Sequence, residues 1–106
     1  MGKYRFQWNE RLRISLPVME QDWELYDGAE QADMVERWEL IRGTIPDRIM
    51  ELERVIRVKQ NELFEEDSFP ESCRINSEIA ELASRINDLQ IWYRVSQELE
   101  TPLSPS

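Results

Sequence analysis

The chain contains no histidine. That removes the side chain whose charge ordinarily changes near neutral pH, and the base of Ser–His and Cys–His nucleophile pairs. It also removes a ligand on which almost every zinc or di-iron site depends. Cysteine occurs once, at Cys73. A lone thiol closes no internal disulfide, so nothing in the thiol content asks for an oxidising compartment. The three glycines, Gly2, Gly28 and Gly43, stand far apart and form no phosphate-cradling loop. No apolar run approaches the roughly 18 residues of a membrane span. Lys3 and Arg5 are followed by polar interruptions rather than the apolar core of a signal peptide. Gly2 lacks a myristoylation context, because Phe6 stands where Ser or Thr is wanted. These absences leave a cytoplasmic protein as the expectation, without membrane contact, catalytic residues, metal or cofactor, and they make an enzyme the less expected class.

What is present is charge. The 106 residues suffice for one domain, and 33% of them are charged, with a net of −9. Such a chain is repelled by phosphate backbones and anionic bilayers, so nucleic acid is not an expected partner. The distribution is uneven. Lys3, Arg5, Arg11 and Arg13 against Glu10 give residues 1–14 a sum of +3, whereas eight acids against Arg37 give residues 15–39 a sum of −7. The basic segment can lie across the acidic one, within the chain or on another copy. The acidic run over 20–39 could also mimic nucleic acid toward a basic protein.

Along the chain, Tyr4, Phe6 and Trp8 alternate, as do Leu12, Ile14 and Leu16, which is the period of a strand. A three-residue loop at Asn9–Arg11 would pair Trp8 with Leu12 and Phe6 with Ile14 and place all six on one face. The segment 1–16 therefore reads as an extended or hairpin-like arm. Pro17 suits the first turn of a short helix that Asp27-Gly28 would end. From about residue 30, Met34, Trp38, Ile41, Ile45, Ile49, Leu52, Ile56 and Leu63 recur at helical spacings. Gly43 followed by Thr44-Ile45-Pro46-Asp47 reads as a cap and a new start, with Thr44 and Asp47 as a capping box, so a break or sharp kink is expected at 43–46. Ser68-Phe69-Pro70-Glu71 is a second such box. After it Ile75, Ile79, Leu82, Ile86 and Leu89 form a seam at spacings of four and three, extended by Trp92, Val95 and Leu99. The short connection from Asn61 to Pro70 makes the two helices antiparallel neighbours.

The fold class this predicts is all-α: an antiparallel coiled-coil-like helical hairpin over 45–99, an additional helix packed on it from the acidic helical region 17–42, and the N-terminal arm. One helical domain over 1–100 and a disordered tail over 101–106 complete the reading.

Beside the seam of the last helix, Asn76, Ala80, Ala83 and Asn87 repeat at four, three and four. Small residues let another helix approach closely, from residues 30–42 or from another subunit. A two-helix hairpin alone has little core, and small scaffolds need a further staple. Trp38 and Trp92 fall on or beside the seams and read as core. Trp8 and Trp23 lie outside them and are candidate anchors for a partner. Cys73, near Arg74 and without a partner thiol, reads as a partly buried structural cysteine.

Two enzyme resemblances bear on function. Glu62-Leu63-Phe64-Glu65 and Glu78-Ile79-Ala80-Glu81 set two carboxylate pairs on neighbouring helices. This resembles the paired motifs that hold magnesium in all-α nucleotide pyrophosphatases of the MazG type. The resemblance implies a magnesium-dependent hydrolase using Glu62, Glu65, Glu78 and Glu81, although that family carries Asp where this chain has Glu81. Separately, Arg42-Gly43-Thr44-Ile45-Pro46-Asp47 with Lys59 downstream is faintly similar to the first helix of chorismate mutases, over less than a quarter of the chain and with Pro46 where that family keeps an acid. Against both stands the expectation the residues themselves favour: a small non-enzymatic protein–protein interaction or regulatory module that acts as a homo-oligomer, through helix faces or the aromatic arm.

Overall fold

The computed structural model describes residues 3–95. Its element order is β1 (Tyr4–Asn9), β2 (Ile14–Met19), a 3-10 turn (Trp23–Leu25), α1 (Gly28–Arg42), α2 (Ile45–Glu65) and α3 (Phe69–Tyr93). The architecture is mostly helical but not all-α, because the N-terminal arm is a two-stranded antiparallel hairpin. Gly2, Leu99 and the tail from Thr101 to Ser106 lie outside the described residues.

The hairpin corrects the register expected from alternation. Its loop has four residues, not three, and Trp8 stands opposite Ser15, Phe6 opposite Pro17 and Asn9 opposite Ile14. Tyr4, Phe6 and Trp8 therefore share one face, and Ile14 and Leu16 the other. The split is stable because both faces find cover. The Tyr4 hydroxyl donates to Asp33 Oδ2 at 2.7 Å, and the Arg37 guanidinium of α1 sits 4.8 Å over the Phe6 ring. On the other side Leu12 and Ile14 are buried in the core. The loop is built on Asn9, whose side chain accepts from the Leu12 N–H at 2.8 Å and whose carbonyl accepts from the Arg13 N–H at 2.6 Å. Arg13 takes the left-handed conformation, with φ of 61°, that glycine or asparagine would occupy at less cost.

Pro17 lies in β2 and opens no helix. A two-stranded ribbon has two edges, so proline can sit where no ladder donor is required. Asp27-Gly28 likewise ends nothing. Asp27 starts α1 through a full capping box: its side chain accepts from the Glu30 N–H at 2.8 Å, while Glu30 accepts from the Asp27 N–H at 3.0 Å.

Between α1 and α2 the rod bends without turning back. Gly43 and Thr44 both stay in the right-handed helical region. Pro46 has no N–H and crowds the preceding turn, which is enough to kink a helix. Thr44 does not act as the expected cap. Its hydroxyl donates backward to the Ile41 carbonyl at 2.7 Å, and no capping box with Asp47 forms. The long bent helix from Gly28 to Glu65 covers about 57 Å at 1.5 Å per residue, which accounts for most of the molecule's 59 Å length.

At the far end Glu66–Ser68 reverse the chain. The Ser68 side chain accepts from the Glu71 N–H at 3.4 Å, but Glu71 pairs with Arg74 rather than reaching back, so the box is half made. α3 then runs antiparallel to α2. Lys59 meets Glu78 at 2.8 Å, and nearer the base Arg42 Nη1 donates to the Tyr93 carbonyl at 3.1 Å. The core sits at the base, where the hairpin loop, the end of α1 and the facing halves of α2 and α3 converge. Leu12, Ile14, Trp38, Ile45, Leu52 and Leu89 are its buried members. Trp38 and Trp92 meet edge to face at 5.8 Å.

Candidate functional site

The α2–α3 pair uses one stripe of each helix for the other: Ile45, Ile49, Leu52, Ile56 and Leu63 against Ile75, Ile79, Leu82, Ile86 and Leu89, all buried or half-buried. Each helix then has two flanks. On the first flank the hairpin loop closes over the base. Arg11 donates to Glu81 at 3.1 Å, Ser84 at 2.9 Å and Asp88 at 2.6 Å, and Arg48 Nε donates to the Leu12 carbonyl at 3.3 Å. Among the described residues the second flank carries no layer. Its α2 stripe is Pro46, Met50, Glu53, Arg57, Gln60 and Phe64, and its α3 stripe contains Asn76, Ala80, Ala83, Asn87, Gln90 and Arg94. Every one of these residues is exposed.

The two stripes meet at the base in a groove of about 490 Å3 lined by Pro46, Ile49, Met50, Gln90, Tyr93 and Arg94. Its walls are chiefly apolar, and Arg94 is the charged group among them. At the opposite end Phe64 and Phe69 bracket the turn, 90% and 78% exposed. Thus the four small residues singled out from the sequence, Asn76, Ala80, Ala83 and Asn87, form the floor between a groove and an aromatic tip. The groove and the tip escaped the sequence reading. The signal for them was the spacing of Pro46, Met50 and Phe64, which continues the same steps of four and three beside the seam.

The two tryptophan candidates lie elsewhere. Trp8 is 55% exposed. Its indole N–H donates to Glu10 at 2.9 Å, and it borders a hollow of about 260 Å3 with Leu40, Ile41 and Thr44. Trp23 is half-buried in the 3-10 turn, where its carbonyl accepts from Gln31 Nε2 at 2.9 Å. Cys73 is exposed at the tip end of the small-residue stripe.

The carboxylate quartet does not assemble. Helix register places Lys59, not Glu62, against Glu78. Hydrogen bonding to Lys59, together with the charge of Arg74, holds the Glu78 carboxyl below its ordinary range. Arg85 and then Arg11 do the same for Glu81. Among the described residues no three His, Cys, Asp or Glu side chains come together as a metal-holding group. Glu71 is lowered by its hydrogen bond from Arg74, and Asp33, beside the β-hairpin, first by the Tyr4 hydroxyl and next by Arg37. Each of these acids is explained by a partner that orders the fold.

No helix among the described residues is long and apolar enough to cross a membrane. No known family matches the chain, and no curated protein or solved structure matches it.

Proposed function

We propose that this chain is a non-enzymatic protein–protein interaction module that works by self-association. The observation that supports this reading is the second flank of the α2–α3 hairpin. It offers an apolar groove of about 490 Å3 and the exposed side chains of Met50 and Phe64, and no described residue covers it. Apolar surface gathered in a groove and rimmed by polar side chains is the usual mark of a docking surface. On this flank the α2–α3 hairpin also lacks the third layer that the β-hairpin loop gives its base on the other, the kind of staple small helical scaffolds need.

Sedimentation of the full chain over a range from about 1 to about 200 micromolar tests the reading, since a specific association at Kd near micromolar corresponds to about 8 kcal/mol. A mass that rises to a whole-number multiple of 12.8 kDa is expected. A single 12.8 kDa species across the range contradicts self-association.

A further inference from the structure

The bare flank of the α2–α3 hairpin complements itself when turned end over end. Take Val55 as the midpoint of α2. Glu53 and Arg57 lie two residues to either side of it, and Pro46 and Phe64 nine residues to either side. Lys59 stands against Glu78, so Val55 is level with Leu82 in the antiparallel partner helix, next to Ala83. About Ala83, Asn76 and Gln90 lie seven residues to either side. A two-fold axis in the plane of the flank, crossing the helices near Val55 and Ala83, therefore sets each residue of these pairs against its opposite number on a second copy.

The chemistry of the opposed residues agrees. Glu53 would meet the partner copy's Arg57, twice by symmetry. Among the described residues neither of them forms an ion pair within the chain, whereas neighbouring Arg48 and Lys59 do. Asn76 would meet the partner copy's Gln90, amide against amide. Ala83 would meet itself on the axis, where a small side chain permits close approach. Phe64, 90% exposed at the tip, would enter the partner copy's groove at Pro46 and Met50. That step also brings the tip acids Glu65 and Asp67 beside the partner copy's Arg94, a groove cation with no ion pair among the described residues. α2 has no basic residue in its last turn, so the negative end of its dipole and its acids lack a cation within the helix.

Charge further restricts the occupant. A chain of net charge −9 repels its own copy over most of its surface. On the first flank Arg11, Arg48, Lys59, Arg74 and Arg85 are already paired with acids of their own chain, whereas on the second Glu53, Arg57 and Arg94 form no ion pair among the described residues. The second flank is thus the one that keeps charges of both signs free for a second copy. The flank runs about 27 Å from Pro46 to Phe64 and spans two helices, about 20 Å. That is about 500 Å2 on each copy, which brings the total to the roughly 1,000 Å2 expected of a specific interface.

We infer that two copies pack these flanks together in a reversed, two-fold four-helix bundle, with Phe64 of each copy seated in the Pro46–Met50–Tyr93 groove of the other. This rests on the self-association reading above, and the test separates the two. In the Cys73→Ser background, Ala83→Cys is oxidised and run without reductant, and the charge variants Glu53→Arg, Arg57→Glu and the double swap are sedimented. The inference expects a covalent Ala83→Cys dimer, at least tenfold weaker association for each single charge variant, and recovery in the double swap. All these positions are exposed in the single chain, so circular dichroism should be unchanged. An associating wild type whose Ala83→Cys form stays uncrosslinked, or whose charge variants associate normally, overturns this interface and leaves self-association standing. A wild type that stays monomeric overturns both.

Discussion

The base and the tip of the α2–α3 hairpin share one seam and differ in what covers the residues beside it. At the base Ile45 and Leu89 are fully buried and Leu52 is 3% exposed. Toward the tip the seam still buries Ile75, 2% exposed, but Leu63 is only half-buried, and Phe64 and Phe69, which lie beside the seam, stand in solvent. The steps of four and three are the same throughout. The difference is a third layer: the hairpin loop and the Trp38 end of α1 reach the base and stop there. A heptad seam thus tells which residues face a partner helix, and the layer above decides whether the residues beside the seam leave water.

The comparison can be broken most forcefully at the base. Leu89→Ala should cost about 3 kcal/mol of unfolding free energy, since a fully buried leucine loses both transfer energy and packing. Phe64→Ala at micromolar or lower concentration should stay within about 0.5 kcal/mol, as an exposed side chain does. Urea denaturation of both variants checks the contrast, and equal losses would sink it.

Next in size is acid. Asp33, Glu78 and Glu81 have carboxyls lowered below their ordinary values in the folded chain, by Tyr4, Lys59 and Arg85 respectively as the leading causes. A group lowered on folding stabilises the fold fully above its unfolded pKa and loses that contribution as pH falls through the folded one. Melting temperature should therefore decline from about pH 4.5 downward, and Glu81→Gln should remove part of that decline. A Glu81→Gln profile parallel to the wild type contradicts the assignment.

Smaller still is the clamp that gives the base its third layer. Arg11→Ala removes the bonds to Glu81, Ser84 and Asp88. It should lower stability by less than Leu89→Ala and expose Leu12 to solvent. Because Arg11 is partly exposed, molar salt should mimic part of the effect. A loss unaffected by salt would mean that Arg11 acts through packing. The smallest effect expected is a gain. Arg13→Gly relieves the left-handed backbone at φ 61° and should stabilise by about 0.5 kcal/mol, the strain relief being partly offset by glycine's extra freedom when unfolded. Thermal melts resolve the sign.

Much of the helical frame was legible in the chain. Ser68 as a cap and the seam from Ile75 to Leu89 follow from side-chain chemistry acting within one turn. The hairpin was legible only as alternation. Its register depended on cover for both faces, from α1 on the Tyr4–Phe6 side and from the core on the Ile14 side, and no local pattern shows what a strand will later lie against. Pro17 misled because a ribbon edge tolerates it, and Asp27-Gly28 because the same pair serves a helix start or a stop. Asp27 followed three residues later by Glu30 is the pattern that decides between them. Of the candidate site, the stripe of Asn76, Ala80, Ala83 and Asn87 was visible as spacing. The groove was not, because it needs α2 and α3 in register, and that register is set by contacts such as Lys59–Glu78.

Hydrogen exchange read as a function of protein concentration tests most directly whether the tip half is a surface awaiting its own copy. Amides of residues 57–65 and 69–80 should slow markedly as concentration rises through the association range, while those around Leu52 and Leu89 stay slow throughout. Exchange at the tip that is the same at every concentration contradicts the account.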